Sequence, residues 1–132
     1  MEWQPTKPAV DTPWGALHAV KDYGSGIKQY TTASHGGFHV PADMRVQMPA
    51  ALQSHRCFNN YTGWYEEDCD WAVVALAFPD LFTPQNVMYA IETVVGWSAE
   101  YFGAVRAWLK TAEALEVCRI AAEYENSQMV TA

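Results

Sequence analysis

The sequence predicts an α+β fold in which an N-terminal three-stranded antiparallel meander is followed by three or more helices packed on it. Three observations lead there. Residues 14–40 alternate apolar and polar positions with a period of two, broken by glycine-rich turns. From Tyr65 onward the apolar positions recur at helical spacing. The two patterns are segregated along the chain, and segregated elements pack as helices on one face of an antiparallel sheet.

The elements follow in order. Residues 1–13 carry three prolines and few anchors besides Trp3, and read as an extended arm. Trp14 to Tyr23 alternates as a first strand. Asp22-Tyr23-Gly24-Ser25-Gly26 is a turn with two glycines able to supply positive φ. Ile27 to Ala33, rich in Tyr and Thr, is a second strand. Ser34-His35-Gly36-Gly37 reads as another tight turn, and Phe38-His39-Val40 returns as a third strand stopped by Pro41. Pro49 to Gln53 suits a short helix, and His55 to Gly63, with Asn59-Asn60, is a polar loop. Tyr65, Cys69, Ala72, Val73 and Leu76 make one helical face ending before Pro79. Thr83-Pro84 marks an N-cap and first helical position, with the helix running to about Val95 and breaking near Gly96. Ser98 caps a third helix with a stripe from Tyr101 through Leu115, extending toward Tyr124. The expected organisation is one domain over residues 14–125 and a frayed tail at 126–132.

Composition bounds the function. Half of the 132 residues are hydrophobic, with six Trp and seven Tyr, which is a globular composition. A formal net charge of −7 argues against nucleic acid as a direct ligand, because phosphate binding needs a cationic face. The three cysteines, Cys57, Cys69 and Cys118, are odd in number and form no Cys-x-x-Cys pair. A reducing cytoplasm is therefore the expected compartment. The N-terminus lacks the pattern of a signal peptide. The longest apolar run, Trp71 to Phe78, is too short to span a membrane.

Two dense motifs carry the candidate chemistry. The first is Ser34 to Pro41, where His35 and His39 could form a metal or acid–base pair. The glycines between them argue for hairpin chemistry instead, and no metal is expected at these histidines. The second is Trp64 to Trp71, with Glu66, Glu67, Asp68 and Asp70. On a helix, Glu66 and Asp70 share a face and could hold a divalent cation. The same acids could dock against Arg and Lys of a partner, or could simply complement the positive end of a helix dipole. The dipole does not account for the surrounding charge pattern: from Cys57 to Val105 there is no Lys, Arg or His. Glu66, Glu67, Asp68, Asp70 and Asp80 are accordingly expected to form one exposed partner-binding patch. Cys69 lies on the apolar stripe and reads as a core residue. Cys57, beside His55 and Arg56, is a loop thiol without an evident base. Phosphate-loop, dinucleotide, zinc-protease and serine-hydrolase signatures are absent from the sequence.

Ser34 to His39, Trp64 to Cys69, and Ala75 to Pro79 followed by Asp80-Leu81-Phe82 occur in this order. Over residues 12–105 they resemble a domain family carried by bacterial plasmids and phages, with the extension from Arg106 outside the likeness. The turn Ser34-His35-Gly36-Gly37-Phe38 is also similar to one in plasmid antirestriction proteins. These resemblances imply a mobile genetic element as context but supply no activity. Joined to the acidic surface, they lead to the expectation of a binding protein rather than an enzyme. It would be a counter-defence inhibitor, offering its acids to the basic nucleic-acid groove of a host restriction or CRISPR complex. The expected partner is a basic host protein or nucleoprotein complex, with no direct nucleic acid, no membrane and no cofactor. The alternative is a small metal-dependent or acid–base enzyme built on His35, His39, Glu66, Asp68 and Asp70.

Overall fold

The computed structural model describes residues 11–16, 18–33, 35–57 and 62–131. Ser34, the loop residues Asn59-Asn60 and the first ten residues of the expected arm lie outside them. Helices follow strands, and the fold is α+β. Strands β1 (Asp11–Thr12) and β2 (Gly15–Ala16) form a small hairpin of their own. The single strand expected over Trp14–Tyr23 is therefore divided, and its second part is β3 (Ala19–Gly24). Next come β4 (Ile27–Thr31), β5 (Gly36–His39) and, after two short helices, β6 (Trp64–Glu66). They form one antiparallel sheet in the order β3-β4-β5-β6. The meander is present, and a fourth strand that the periodicity missed extends it.

The β3–β4 turn follows its chemistry. Gly24 and Gly26 have φ of 108° and 84°, and Asp22 Oδ1 accepts the N–H of Gly24 at 2.8 Å. The Gly36-Gly37 pair does something else. These glycines are strand residues of β5, and the turn before them is closed by Thr32, whose N–H and hydroxyl both donate to His35 O at 2.8 and 2.7 Å. A Cβ on Gly37 would collide with the Trp14 ring, the Tyr65 carbonyl and Glu66 Cα; one on Gly36 would sit 2.7 Å from Tyr30 O. Glycine is required here by close approach, not by backbone conformation.

Two short helices, α1 (Ala42–Arg45) and α2 (Ala50–Gln53), cross from β5 to β6. Then come α3 (Trp71–Ala77), a 3₁₀ turn at Pro79–Leu81, α4 (Pro84–Gly96), α5 (Gly103–Trp108), a 3₁₀ turn at Ala112–Ala114, and α6 (Leu115–Thr131). The Thr83 cap is as expected: its side chain accepts the Asn86 N–H at 3.1 Å. The third helical stripe is two helices, α5 and α6, and α6 continues beyond Glu125 to Thr131.

α3 is the centre of the core. Ala72 through Leu76 are all buried, because the helix meets β5 and β6 on one side and α4 on another. α6 in turn packs on α4. Phe38 closes the sheet side, with ring centroids 5.1 Å from Tyr23 and 5.5 Å from Phe82. The opposite face of the sheet carries a second aromatic group around Trp64, which lies 5.6 Å from Trp14, 5.1 Å from Tyr30 and 4.6 Å from His39. Each well-placed aromatic pair adds roughly 0.5–1.5 kcal/mol beyond burial.

Candidate functional site

The two motifs singled out in the sequence are neighbouring strands. In the β5–β6 ladder Gly37 pairs with Glu66, Phe38 with Tyr65 and His39 with Trp64, and the N–H of Glu67 donates to Gly36 O at 2.9 Å. This places the acidic run directly beside His35, at the end of the sheet from which the chain enters α3.

The helix expected from Tyr65 onward begins only at Trp71. Tyr65 and Glu66 are strand residues, and Glu67 to Asp70 form the turn between strand and helix. The reason is local. The sheet edge offered by β5 satisfies the backbone of residues 64–66, which overrides the apolar spacing at Tyr65 and Cys69. Glu66, Glu67 and Asp68 therefore do not line one side of a helix. Glu66 Oε1 instead accepts the backbone N–H of Cys69 at 2.7 Å and of Asp70 at 3.4 Å, and the thiol of Cys69 at 3.1 Å.

Asp70 corrects the expected patch most sharply. It is 0% exposed and cannot contact a partner. His55 Nε2 lies 2.9 Å from its Oδ1, and the Tyr101 hydroxyl donates to the same oxygen at 2.6 Å. The His55 side chain is itself 2% exposed. Its ring stacks on Phe102 at 4.9 Å and meets the edge of Tyr101 at 5.1 Å. A buried carboxylate is tolerable when paired and hydrogen-bonded in this way.

Above this network opens a cavity of about 1050 Å³. It is lined by Glu66, Asp68 and Cys69 from the β6–α3 segment, by Trp97, Ser98, Glu100 and Tyr101 from the segment between α4 and α5, and by Pro13, Trp14, His35, Arg56 and Cys57. Its thiols are poorly suited to nucleophilic attack. Burial pushes the Cys57 thiol far up from its ordinary 9.0, helped by the charges of Asp70 and Glu66. Burial likewise raises Cys69, together with its hydrogen bond to Glu66. The Tyr101 phenol is raised by burial and by donating to Asp70. All three groups are held in their neutral forms.

The remaining expected residues are dispersed. Glu67 and Asp68 are exposed, and Asp68 lines the cavity. Asp80 is exposed in the 3₁₀ turn whose Leu81 approaches Gly24, at the β3–β4 hairpin, so it is not part of the same group. His35 lines the cavity, whereas His39 packs on Trp64, where burial and the charges of Arg45 and Lys28 lower its pKa. The structure thus separates the two histidines that the sequence placed together. The structure adds three residues to those expected: His55, from the polar loop, Tyr101, from the apolar stripe, and Trp97. The only signal for His55 was its place in the polar run His55-Arg56-Cys57, and nothing in the sequence ties that run to Asp70 or Tyr101.

Among the described residues no helix is long and apolar enough to cross a membrane. No curated protein and no solved structure matches the chain. A family model described as a domain of unknown function, DUF7007, matches residues 7–127, reaching past Val105 to include α5 and most of α6. With nearly the whole chain covered, from the β1–β2 hairpin to α6, the protein belongs to the DUF7007 family.

Proposed function

We propose that this chain is a binding protein whose acidic, aromatic-walled cleft docks a basic surface of another macromolecule. The observation that carries the reading is the composition of the cavity lining: the acids Glu66, Asp68 and Glu100 share it with the indoles of Trp14 and Trp97 and with Arg56. Carboxylates beside exposed aromatic rings suit Lys and Arg side chains, which pair with the acids and lie over the rings. Trp97 is 48% exposed, as an interface anchor should be. The neutral thiols and phenol supply no activated nucleophile, which favours docking over covalent catalysis. The motif resemblance adds the context of a plasmid or phage, and the partner we propose is the nucleic-acid groove of a host restriction or CRISPR complex.

The test is affinity capture from a bacterial host at low and high salt, using the natural chain and an Asp68→Lys/Glu100→Lys double variant. The expected result is one nucleic-acid-handling complex, released by salt and bound at least tenfold more weakly by the double variant. A change within about twofold, roughly 0.4 kcal/mol, would sink the reading.

The enzyme alternative keeps one point in its favour: His35, Glu66 and Asp68 do share the cavity, above the buried His55–Asp70 pair. His39 has no place in it, being packed on Trp64.

A further inference from the structure

Asp70 stands immediately before α3, where an aspartate ordinarily caps the helix by accepting a backbone N–H. It makes no such bond. Glu66 already serves the N–H groups of this turn through Oε1. The Asp70 carboxylate is instead taken fully into the interior and oriented by two groups from distant parts of the chain, His55 and Tyr101. Burying a carboxylate is costly, and the start of α3 does not require it.

What the inward turn achieves is a meeting of donors. A carboxylate oxygen of Glu66, Sγ of Cys69 and a carboxylate oxygen of Asp70 lie within 4.8 Å of one another. We propose that Glu66, Cys69 and Asp70 bind a single divalent transition-metal ion of the zinc type, with an open coordination position facing the cavity.

The donor set selects the ion class. One thiolate with two carboxylates is too soft for magnesium or calcium and suits zinc or its neighbours. Metal–ligand bonds of about 2.0–2.3 Å in a tetrahedral site imply donor separations of roughly 3.4–3.7 Å. The Glu66 Oε1–Cys69 Sγ separation is 3.1 Å, and the set as a whole spans no more than 4.8 Å, so small side-chain rotations suffice. Three protein ligands with a fourth position open is the arrangement of zinc sites that bind exogenous ligands. Glu66 and Cys69 both line the 1050 Å³ cavity, which gives the ion an entry path. The contacts of His55 and Tyr101 to Asp70 Oδ1 are of the kind that orient a ligating carboxylate.

On binding, the ion takes the place of the proton that Cys69 Sγ now shares with Glu66 Oε1, and that proton leaves to solvent. The local charge therefore rises by one, not two. Of the cavity acids, Glu66 is taken up by the ion while Asp68 and Glu100 are untouched, so a basic partner can still dock on those two when the metal is bound.

The experiment uses the full chain, freed of metal by a chelator and titrated with Co²⁺ as an optical probe. Expected are saturation at one equivalent, a thiolate-to-cobalt charge-transfer band, and the intense visible absorption of four-coordinate cobalt. Zinc should displace cobalt stoichiometrically and raise the melting temperature. The band should be absent in Cys69→Ser and unchanged in Cys118→Ser. Glu66→Gln keeps an acceptor for the turn and should fold, yet bind cobalt at least tenfold more weakly. The proposal is overturned if the folded natural chain gives no band, if the band survives Cys69→Ser, or if Glu66→Gln binds as tightly as the natural chain.

Discussion

Tyr101 donates its hydroxyl to Asp70 Oδ1 at 2.6 Å across 31 positions of sequence. With His55 on the same oxygen, one buried carboxylate joins the loop after α2, the start of α3 and the turn before α5. Hydrogen bonds to a charged group contribute about 1.5–3 kcal/mol. Tyr101→Phe is therefore expected to lower the unfolding free energy by about that amount in urea denaturation. Combined with Asp70→Asn, it should add less than its single effect, with a coupling of at least about 0.5 kcal/mol. Additivity within about 0.3 kcal/mol would show that the two residues do not act as a unit.

The thiols give a second prediction. Burial raises both Cys57 and Cys69 well above 9.0. In metal-free folded protein at about pH 8, both should react with iodoacetamide far more slowly than in urea-unfolded protein, because the thiolate is the reactive form. Peptide mass spectrometry follows each site. Faster alkylation of either thiol in the folded chain would reveal an activated nucleophile and revive the enzyme reading.

His39 links stability to pH. Its folded pKa lies below the ordinary 6.5, through burial first and then the charges of Arg45 and Lys28. In the window below 6.5 the unfolded chain binds the proton more readily than the folded one, so stability rises with pH there. The contribution is fully present above 6.5 and is lost as pH falls toward the folded value. His39→Gln should flatten the stability profile in the window just below pH 6.5. An unchanged slope in that range would place the titration elsewhere.

The rim acids make a contrasting case. Glu67 and Asp68 are exposed, and Glu67→Lys or Asp68→Lys should each change stability by no more than about 0.5 kcal/mol. Thermal melts test this. A loss several times larger would mean that the turn before α3 depends on these charges.

The sequence by itself determined the fold class and much of its punctuation. Period-two alternation, Gly24 and Gly26 at the β3–β4 hairpin, and Thr83-Pro84 at the start of α4 are local signals, each enforced by the backbone chemistry of a few adjacent residues. It also singled out two dense motifs, Ser34 to Pro41 and Trp64 to Trp71. The tertiary structure decided what they are. The β5–β6 ladder made Tyr65 and Glu66 a strand, where their spacing read as a helix, because a pairing partner about thirty residues away competes with local periodicity. The same ladder, with Trp14 packed over it, turned Gly36-Gly37 from a turn into a crowded strand. Burial is likewise a property of the assembled core. Asp70 reads like its neighbours Asp68 and Glu67, yet it alone of the three is enclosed, and its partners His55 and Tyr101 come from 15 and 31 positions away. No local pattern encodes contacts of that range, which is why the acidic run was legible as composition and the buried network beneath it only as structure.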